Sequence, residues 1–221
     1  MPADQPKPIA RVRPNRTRPG VPALDRLVDE MARADGAMDQ QIVAREVVYT
    51  GRILTAETDV ARTAGGDLVT RDVVIHPGAV VVAPLDADGR LVMVTQYRLP
   101  AGGTLLELPA GTLDVHDGRV EEPLAAAHRE LEEETGLRAA RMERIGGYWS
   151  APGFSTEYLT LFLATELQPA GEDRLAPDAD EELGVVALPL ADAVAAAEAG
   201  LIEDAKSIAG ILLVARRLGT V

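Results

Sequence analysis

Three glutamates, Glu130, Glu133 and Glu134, crowd the run Arg129-Glu130-Leu131-Glu132-Glu133-Glu134-Thr135-Gly136-Leu137. On a helix the spacing i, i+3, i+4 projects all three from one face, while Leu131 points elsewhere. Carboxylates this close repel one another unless something offsets them, and a bound cation is one such thing. The face is a platform of hard oxygen ligands. Mg²⁺ suits it, because that ion takes a few carboxylates, several waters and substrate phosphate oxygens in octahedral array. The chemistry served would be hydrolysis of a diphosphate, whose charge otherwise repels an attacking hydroxide. Taken alone, the same run reads rather as an ordinary Glu-rich helix that keeps a surface soluble. Glu132, on another face, reads as exposed charge. A second acidic cluster, Asp178, Asp180, Glu181 and Glu182, lies just ahead of an apolar run.

Composition narrows the classes. A net charge of -13 argues against a general electrostatic grip on nucleic acid or anionic lipid. With no cysteine and three histidines, disulfides and thiolate or histidine-rich metal sites drop out, leaving oxygen ligands. Nothing at the N-terminus resembles the apolar core of a signal peptide, and no apolar run approaches the roughly 20 residues of a membrane span. The expected location is the cytoplasm, with no nucleic-acid or membrane partner.

The elements that must carry these residues follow from periodicity. Residues 1 to 22 hold six prolines and five basic residues with little to bury, the composition of an irregular arm. Leu24, Leu27, Val28 and Met31 recur at helical spacing, and the Gly36 region ends that short helix. β-rich segments occupy 42 to 76, around a Gly65-Gly66-Asp67 turn. Runs 79 to 85 and 91 to 97 flank Asp86-Ala87-Asp88-Gly89 and predict a hairpin. A short strand at 105 to 108 leads into Pro109-Ala110-Gly111. Residues 121 to 135 predict a helix with Leu124, Ala127, His128 and Leu131 on its apolar side and Gly136 as its stop. Strands at 141 to 149, 158 to 164 and 183 to 188 and helices at 190 to 199 and 206 to 218 complete an α+β order rather than a regular βαβ alternation. The expected division is an arm and helix (1 to 40), a strand subdomain (41 to 76) and a catalytic domain (77 to 221).

Gly111, then Glu121, then seven residues, then Arg-Glu-Leu-x-Glu-Glu-x-Gly-Leu resembles the signature of the Nudix hydrolases, over about 27 positions. The resemblance implies an α/β/α sandwich with a mixed sheet, in which a loop, helix and loop bind metal and diphosphate. Nine residues separate Gly111 from Glu121 where the family usually has five. The surplus falls in the polar stretch 114 to 119, which a loop absorbs cheaply. It weakens the assignment of Glu121 and leaves the helix register intact. By resemblance, Glu130 and Glu134 are the main metal ligands, with Glu133 assisting and the Ala110 carbonyl adding a backbone oxygen. The ion would be Mg²⁺ or Mn²⁺. Arg129, Glu121 and Gly136 would brace the loop and helix.

The segments 71 to 78, 96 to 98, 106 to 111 and 150 to 157 look like the ADP-ribose pyrophosphatase branch of that family, with Pro152 at the sixteenth position after Gly136. That branch implies hydrolysis of ADP-ribose to AMP and ribose 5-phosphate. Another nucleotide sugar or dinucleotide is the alternative substrate, and a non-catalytic ligand-binding module is the alternative of another class. Arg71 and Arg98 are candidate phosphate or ribose contacts, or else structural ion-pair partners. Glu107, Gly111, Pro152 and Gly153 complete the expected substrate contacts. Tyr148, Trp149 and Phe154 could stack on a base, with Trp149 assigned to the core. A loop carboxylate would serve as general base: Glu181 first, Glu182 second and Asp180 as the alternative, then Glu133 or Glu157. The branch also implies a homodimer in which strands 42 to 76 reach the partner.

Overall fold

The computed structural model describes residues 20–37, 40–176 and 182–220. The chain divides into two compact units, Met1–His76 with Ala151–Thr156, and Pro77–Ser150 with Glu157–Val221.

The first unit holds helix α1 (Pro22–Ala37) and an antiparallel meander of β1 (Gln41–Thr50), β2 (Thr55–Arg62) and β3 (Leu68–Ile75). The turn between β2 and β3 closes through Thr63 N–H to the Asp67 carbonyl (2.8 Å), and Gly66 supplies the positive φ of 93° that this turn requires. Strand periodicity puts Glu57, Asp59 and Ala61 on one buried face of β2. Two carboxylates there need a cation, and Arg45 on β1 supplies it at 3.0 Å from Glu57 and 3.1 Å from Asp59. Segment 151 to 156 pairs with β3 through Val74 N–H to the Phe154 carbonyl and Thr156 N–H to the Val74 carbonyl.

In the second unit, β4 (Ala79–Pro84) is central. It runs parallel to β11 (Tyr158–Pro169) and antiparallel to the short β7 (Ala110–Thr112), and β10 (Leu137–Trp149) completes that sheet on the far side of β11. Every residue of β4 is buried, which the two-residue period turns into two cores. Val80 and Val82 join Phe162 and Ala164 under α2 (Pro123–Thr135), with Ala126, Ala127 and Leu131. Ala79, Val81 and Ala83 join Leu161 and Leu163 under α3 (Leu190–Glu198) and α4 (Ala205–Leu218), with Val194, Ile211 and Val214. Helices therefore cover both faces of the mixed sheet, giving the α/β/α sandwich. A second sheet orders β12 (Leu183–Pro189), β5 (Arg90–Arg98) and β6 (Gly103–Glu107).

One local expectation is corrected. The turn at Asp86 forms, with its side chain accepting from Asp88 and Arg90 N–H groups, yet β4 and β5 part after a single bridge between Leu85 and Leu91 and enter different sheets. Both edges of β4 are occupied, by β11 and β7, so no ladder is left for β5.

Candidate active site

Helix α2 begins at Pro123, whose missing N–H costs nothing at a helix start, and ends at Gly136, whose φ of 70° lets its N–H reach the Glu132 carbonyl at 2.9 Å. Its buried face runs through Ala126, Ala127, Glu130, Leu131 and Glu134, while Leu124 and His128, expected on the apolar side, are exposed. A helix face made of alanines can lie close to the sheet, and this brings the carboxylates onto β7. Glu134 Oε2 accepts from Ala110 N–H at 3.1 Å. The Glu130 carboxyl rests on Gly111 so closely that a Cβ there would lie 1.9 Å from its carbon. Gly111 is thus required by contact, not by a turn. The Val82 N–H bond to the Pro109 carbonyl fixes the ladder's alternation, which turns both the N–H and C=O of Ala110 away from β4.

Arg129 ties this face together. One guanidinium nitrogen donates to Glu130 (2.6 Å) and Glu133 (2.9 Å), and another donates to Glu121 (2.8 Å). The Glu121 hydrogen bond, with the charge of Glu130 and the hydrogen bonds to Glu130 and Glu133, raises the Arg129 pKa well above its ordinary value; the same Glu121 bond lowers that of Glu121. The surplus residues before Glu121 fold into a small hairpin, β8 (Val115–His116) and β9 (Arg119–Val120), turned at Asp117 and Gly118 with φ of 51° and 74°. Glu121 N–H to the Asp114 carbonyl (2.8 Å) pinches its base, so the insertion loops out and leaves Glu121 in reach of Arg129.

Glu132 departs from expectation. It is not exposed charge: it is 7% exposed and receives a two-pronged bond from Arg138 (2.7 Å each) and one from Leu175 N–H (3.0 Å). Those bonds, Arg138 first, hold its carboxyl down to about 2. Gly136 O accepts from Ala170 N–H, and Glu133 O accepts from Arg174, so residues 170 to 175 are latched onto the end of α2.

Beside β7 lies a cavity of about 470 Å³ whose lining includes Arg98, Ala110, Gly111, Trp149, Glu157 and Lys206. Glu107 is 1% exposed, and Arg98 grips both of its oxygens at 2.7 Å. Burial pushes the Glu107 pKa up, but the bonds from Arg98 and Lys206 outweigh this and leave it below the usual range. Lys206 also pairs with Asp204 (2.9 Å), the N-cap of α4, which accepts from Ser207 N–H. Trp149, expected in the core, is instead half-buried at the cavity wall, edge-on to Tyr158 at 5.2 Å. It is the last residue of β10.

The remaining expected residues are placed as follows. Arg71 lies on β3 opposite Asp59, and Pro152 and Gly153 are exposed in segment 151 to 156; all three belong to the first unit. Phe154 is exposed in the same segment. Glu182 is exposed immediately before β12, while Glu181 and Asp180 lie outside the described residues. Lys206 and Asp204 were missed in the sequence. Asp204 followed three residues later by Ser207 at a helix start was a capping signal, but nothing local linked Lys206 to Glu107, 99 residues away.

Among the described residues, no three His, Asp or Glu side chains are already gathered as a metal cluster. The donor set nonetheless fits a divalent ion of the Mg²⁺ kind, which needs one or two carboxylates and completes its shell with water and phosphate. Glu130 and Glu134 converge on Gly111 and Ala110, and the Ala110 carbonyl adds a hard oxygen on the same strand.

The NUDIX domain model matches residues 74–210. An ADP-ribose pyrophosphatase of Bacillus subtilis (strain 168) is 35% identical over 171 residues, covering 77% of this chain and 90% of that protein. One of Mycobacterium tuberculosis is 39% identical over 179 residues, covering 80% and 83%. A crystal structure of an ADP compounds hydrolase superposes with a TM-score of 0.70 over 82% of this chain and 95% of its own, at 24% identity, a likeness of fold. Nudix hydrolases generally need a divalent metal. Carboxylates on α2, the glycine under Glu130 and a family match over more than half the length agree: the chain belongs to the Nudix hydrolase family.

Proposed function

We propose that this enzyme is an ADP-ribose pyrophosphatase that converts ADP-ribose and water to AMP and ribose 5-phosphate, with Mg²⁺ as its ion and Mn²⁺ as a substitute. The observation that carries the reading is the seating of Glu130 on Gly111 and of Glu134 on Ala110, at the wall of a cavity that also presents Arg98 and Lys206. The names of the relatives from Bacillus subtilis and Mycobacterium tuberculosis supply the substrate.

Glu130, Glu134 and the Ala110 carbonyl would hold the ion, with Glu133 assisting. When bound, such an ion neutralises diphosphate oxygens and acidifies water. Arg129 keeps the carboxylates in register and offsets their mutual repulsion. Arg98 offers paired donors to phosphate or ribose, with Glu107 behind it. Gly111, against which Glu130 rests, remains a proposed substrate contact. Arg71, Pro152 and Gly153 remain proposed substrate contacts. Glu181, then Glu182, is proposed to accept the proton of the attacking water, with Glu133 taking that role if neither does.

A cytoplasmic homodimer is part of the same reading. The small charged substrate supports the compartment. The exposed apolar side chains of β1 support the dimer. No described helix is long and apolar enough to cross a membrane.

The test is purified full-length chain with Mg²⁺ and a panel of nucleoside diphosphate derivatives, with products identified by mass. ADP-ribose should be the best substrate and should yield AMP and ribose 5-phosphate. Preference for another nucleotide sugar or a dinucleotide would overturn the substrate. Binding without hydrolysis across the panel would overturn the activity and leave a ligand-binding module.

A further inference from the structure

We propose that Lys206 is an anion-binding residue of this cavity, donating to a non-bridging oxygen of the substrate's diphosphate; this rests on reading the cavity as the diphosphate site. An ammonium has three N–H donors on a tetrahedral nitrogen. Two partners of Lys206 are fixed: Glu107 and Asp204. Both are carboxylates held in place from elsewhere. Arg98 grips Glu107 with two bonds at 2.7 Å, and Asp204 is anchored by Ser207, whose hydroxyl in turn accepts from Leu108 N–H at 2.7 Å. Gly210, one turn further along α4, lets the helix approach Leu108 where a Cβ would come within 2.5 Å of that side chain. The ammonium is therefore positioned by backbone and packing on two elements, and its third donor direction is the one left by the two carboxylates. Lys206 lines the cavity, together with Arg98 and the strand carrying Ala110 and Gly111.

Neutralising Glu107 does not by itself require Lys206. Arg98 already satisfies both oxygens of that carboxylate with a full positive charge. A second cation beside it, balanced in turn by Asp204, makes a neutral group of four charges, of which Arg98, Lys206 and Asp204 line the cavity. Such a pre-assembled pair stabilises an entering anion without having to be reorganised when it arrives. Ala110 and Gly111, the β7 residues against which the Glu134 and Glu130 carboxylates of α2 rest, line the same cavity as the ammonium and guanidinium.

The experiment uses the full chain with Mg²⁺ and inorganic pyrophosphate as probe, with affinity read by calorimetry beside the kinetics of ADP-ribose hydrolysis. Lys206→Met should weaken pyrophosphate binding by about tenfold to a hundredfold, the range of a lost charge-assisted hydrogen bond. Lys206→Arg should recover most of it. The double variant Glu107→Gln with Lys206→Met removes the buried charge that a lone Lys206→Met leaves behind, and it should still bind pyrophosphate weakly. Restored affinity in the double variant would show that the lysine serves only Glu107 and would overturn the proposal. So would unchanged affinity in Lys206→Met, or no pyrophosphate binding by the unaltered chain. If ADP-ribose proves not to be a substrate while pyrophosphate binding still depends on Lys206, the substrate reading fails and this inference stands.

Discussion

At Gly111 a single hydrogen atom in place of a methyl group decides where the Glu130 carboxylate can lie. The obstacle a Cβ would meet is the far end of a flexible side chain, so Gly111→Ala can be relieved by turning Glu130 aside. The fold should tolerate this, since the helix and strand need not move. The Glu130 carboxylate, however, leaves its place against Gly111. Gly111→Ala is expected to lower kcat by about tenfold to a hundredfold and to raise the Mg²⁺ concentration needed for half-maximal rate, the scale seen when the surroundings of a metal ligand are disturbed. Tm should hardly change. Parental kcat and Mg²⁺ dependence in that variant would show that the Glu130 position is immaterial. The three glutamates could be read from spacing alone, because i, i+3, i+4 is a property of the helix. The reason for the glycine could not, because it arises where two elements meet. Lys206 was hidden for the same reason: its partner Glu107 lies 99 positions away, on β6.

Helix α2 was legible as an element from its helical spacing and from Gly136 as its stop, though it starts at Pro123 and not at Glu121, and its end is fixed by residues outside it. Glu132 looked like solvent-facing charge because helical periodicity places it off the carboxylate face. In the structure β10 follows Gly136 without a loop, which puts Arg138 against that side chain, and the chain returns 43 residues later to place Leu175 N–H on it. The insertion before Glu121 was readable as a loop, while its closure at Asp114 and Glu121 was not. Both cases show that local pattern gives an element and leaves its tertiary partners unstated. The Glu132 latch carries a pH signature. A carboxyl held at about 2 against an ordinary value of 4.5 favours the folded state while it is ionised in both states. That contribution is complete above about 4.5 and is lost as pH falls toward about 2. Glu132→Gln should therefore lower Tm at pH 7, and the difference from the parent should close between pH 4.5 and 2. Hydrogen exchange should quicken at residues 170 to 175 in the variant. A difference in Tm that stays constant across that pH range would remove the ion pair as its cause.

At the scale of the whole molecule, the first unit leaves apolar side chains exposed along one strand and one helix. Strand β1 is an edge strand of ten residues, all exposed, and carries Ile42, Val43, Val47, Val48 and Tyr49 on its two faces. Helix α1 adds Leu24, Leu27 and Met31, each at least 40% exposed. Apolar side chains gathered along an open edge are a template for pairing, and native proteins cover or charge such edges. The occupant we propose is a second copy of this chain, in keeping with the exposed strand subdomain that the sequence already set apart from the catalytic domain. A stable dimer commonly buries about 1,200–2,000 Å² in total, and a ten-residue strand with a helix of sixteen residues offers surface on that scale. Sedimentation at micromolar concentration should therefore give twice the 23.4 kDa of one chain. Removing residues 1 to 20 should leave the dimer intact, because the arm has few large apolar side chains to contribute. Val47→Glu combined with Val48→Glu places two charges among the exposed apolar side chains of β1, at the irregularity between Val47 and Tyr49. That variant should shift the mass toward a single chain at the same concentration. If strands from the partner also help to form the substrate pocket, KM for ADP-ribose should rise together with the loss of the dimer and recover at higher protein concentration. A chain that sediments at 23.4 kDa with full activity would overturn the dimer. The apolar surface of β1 would then belong to some other contact.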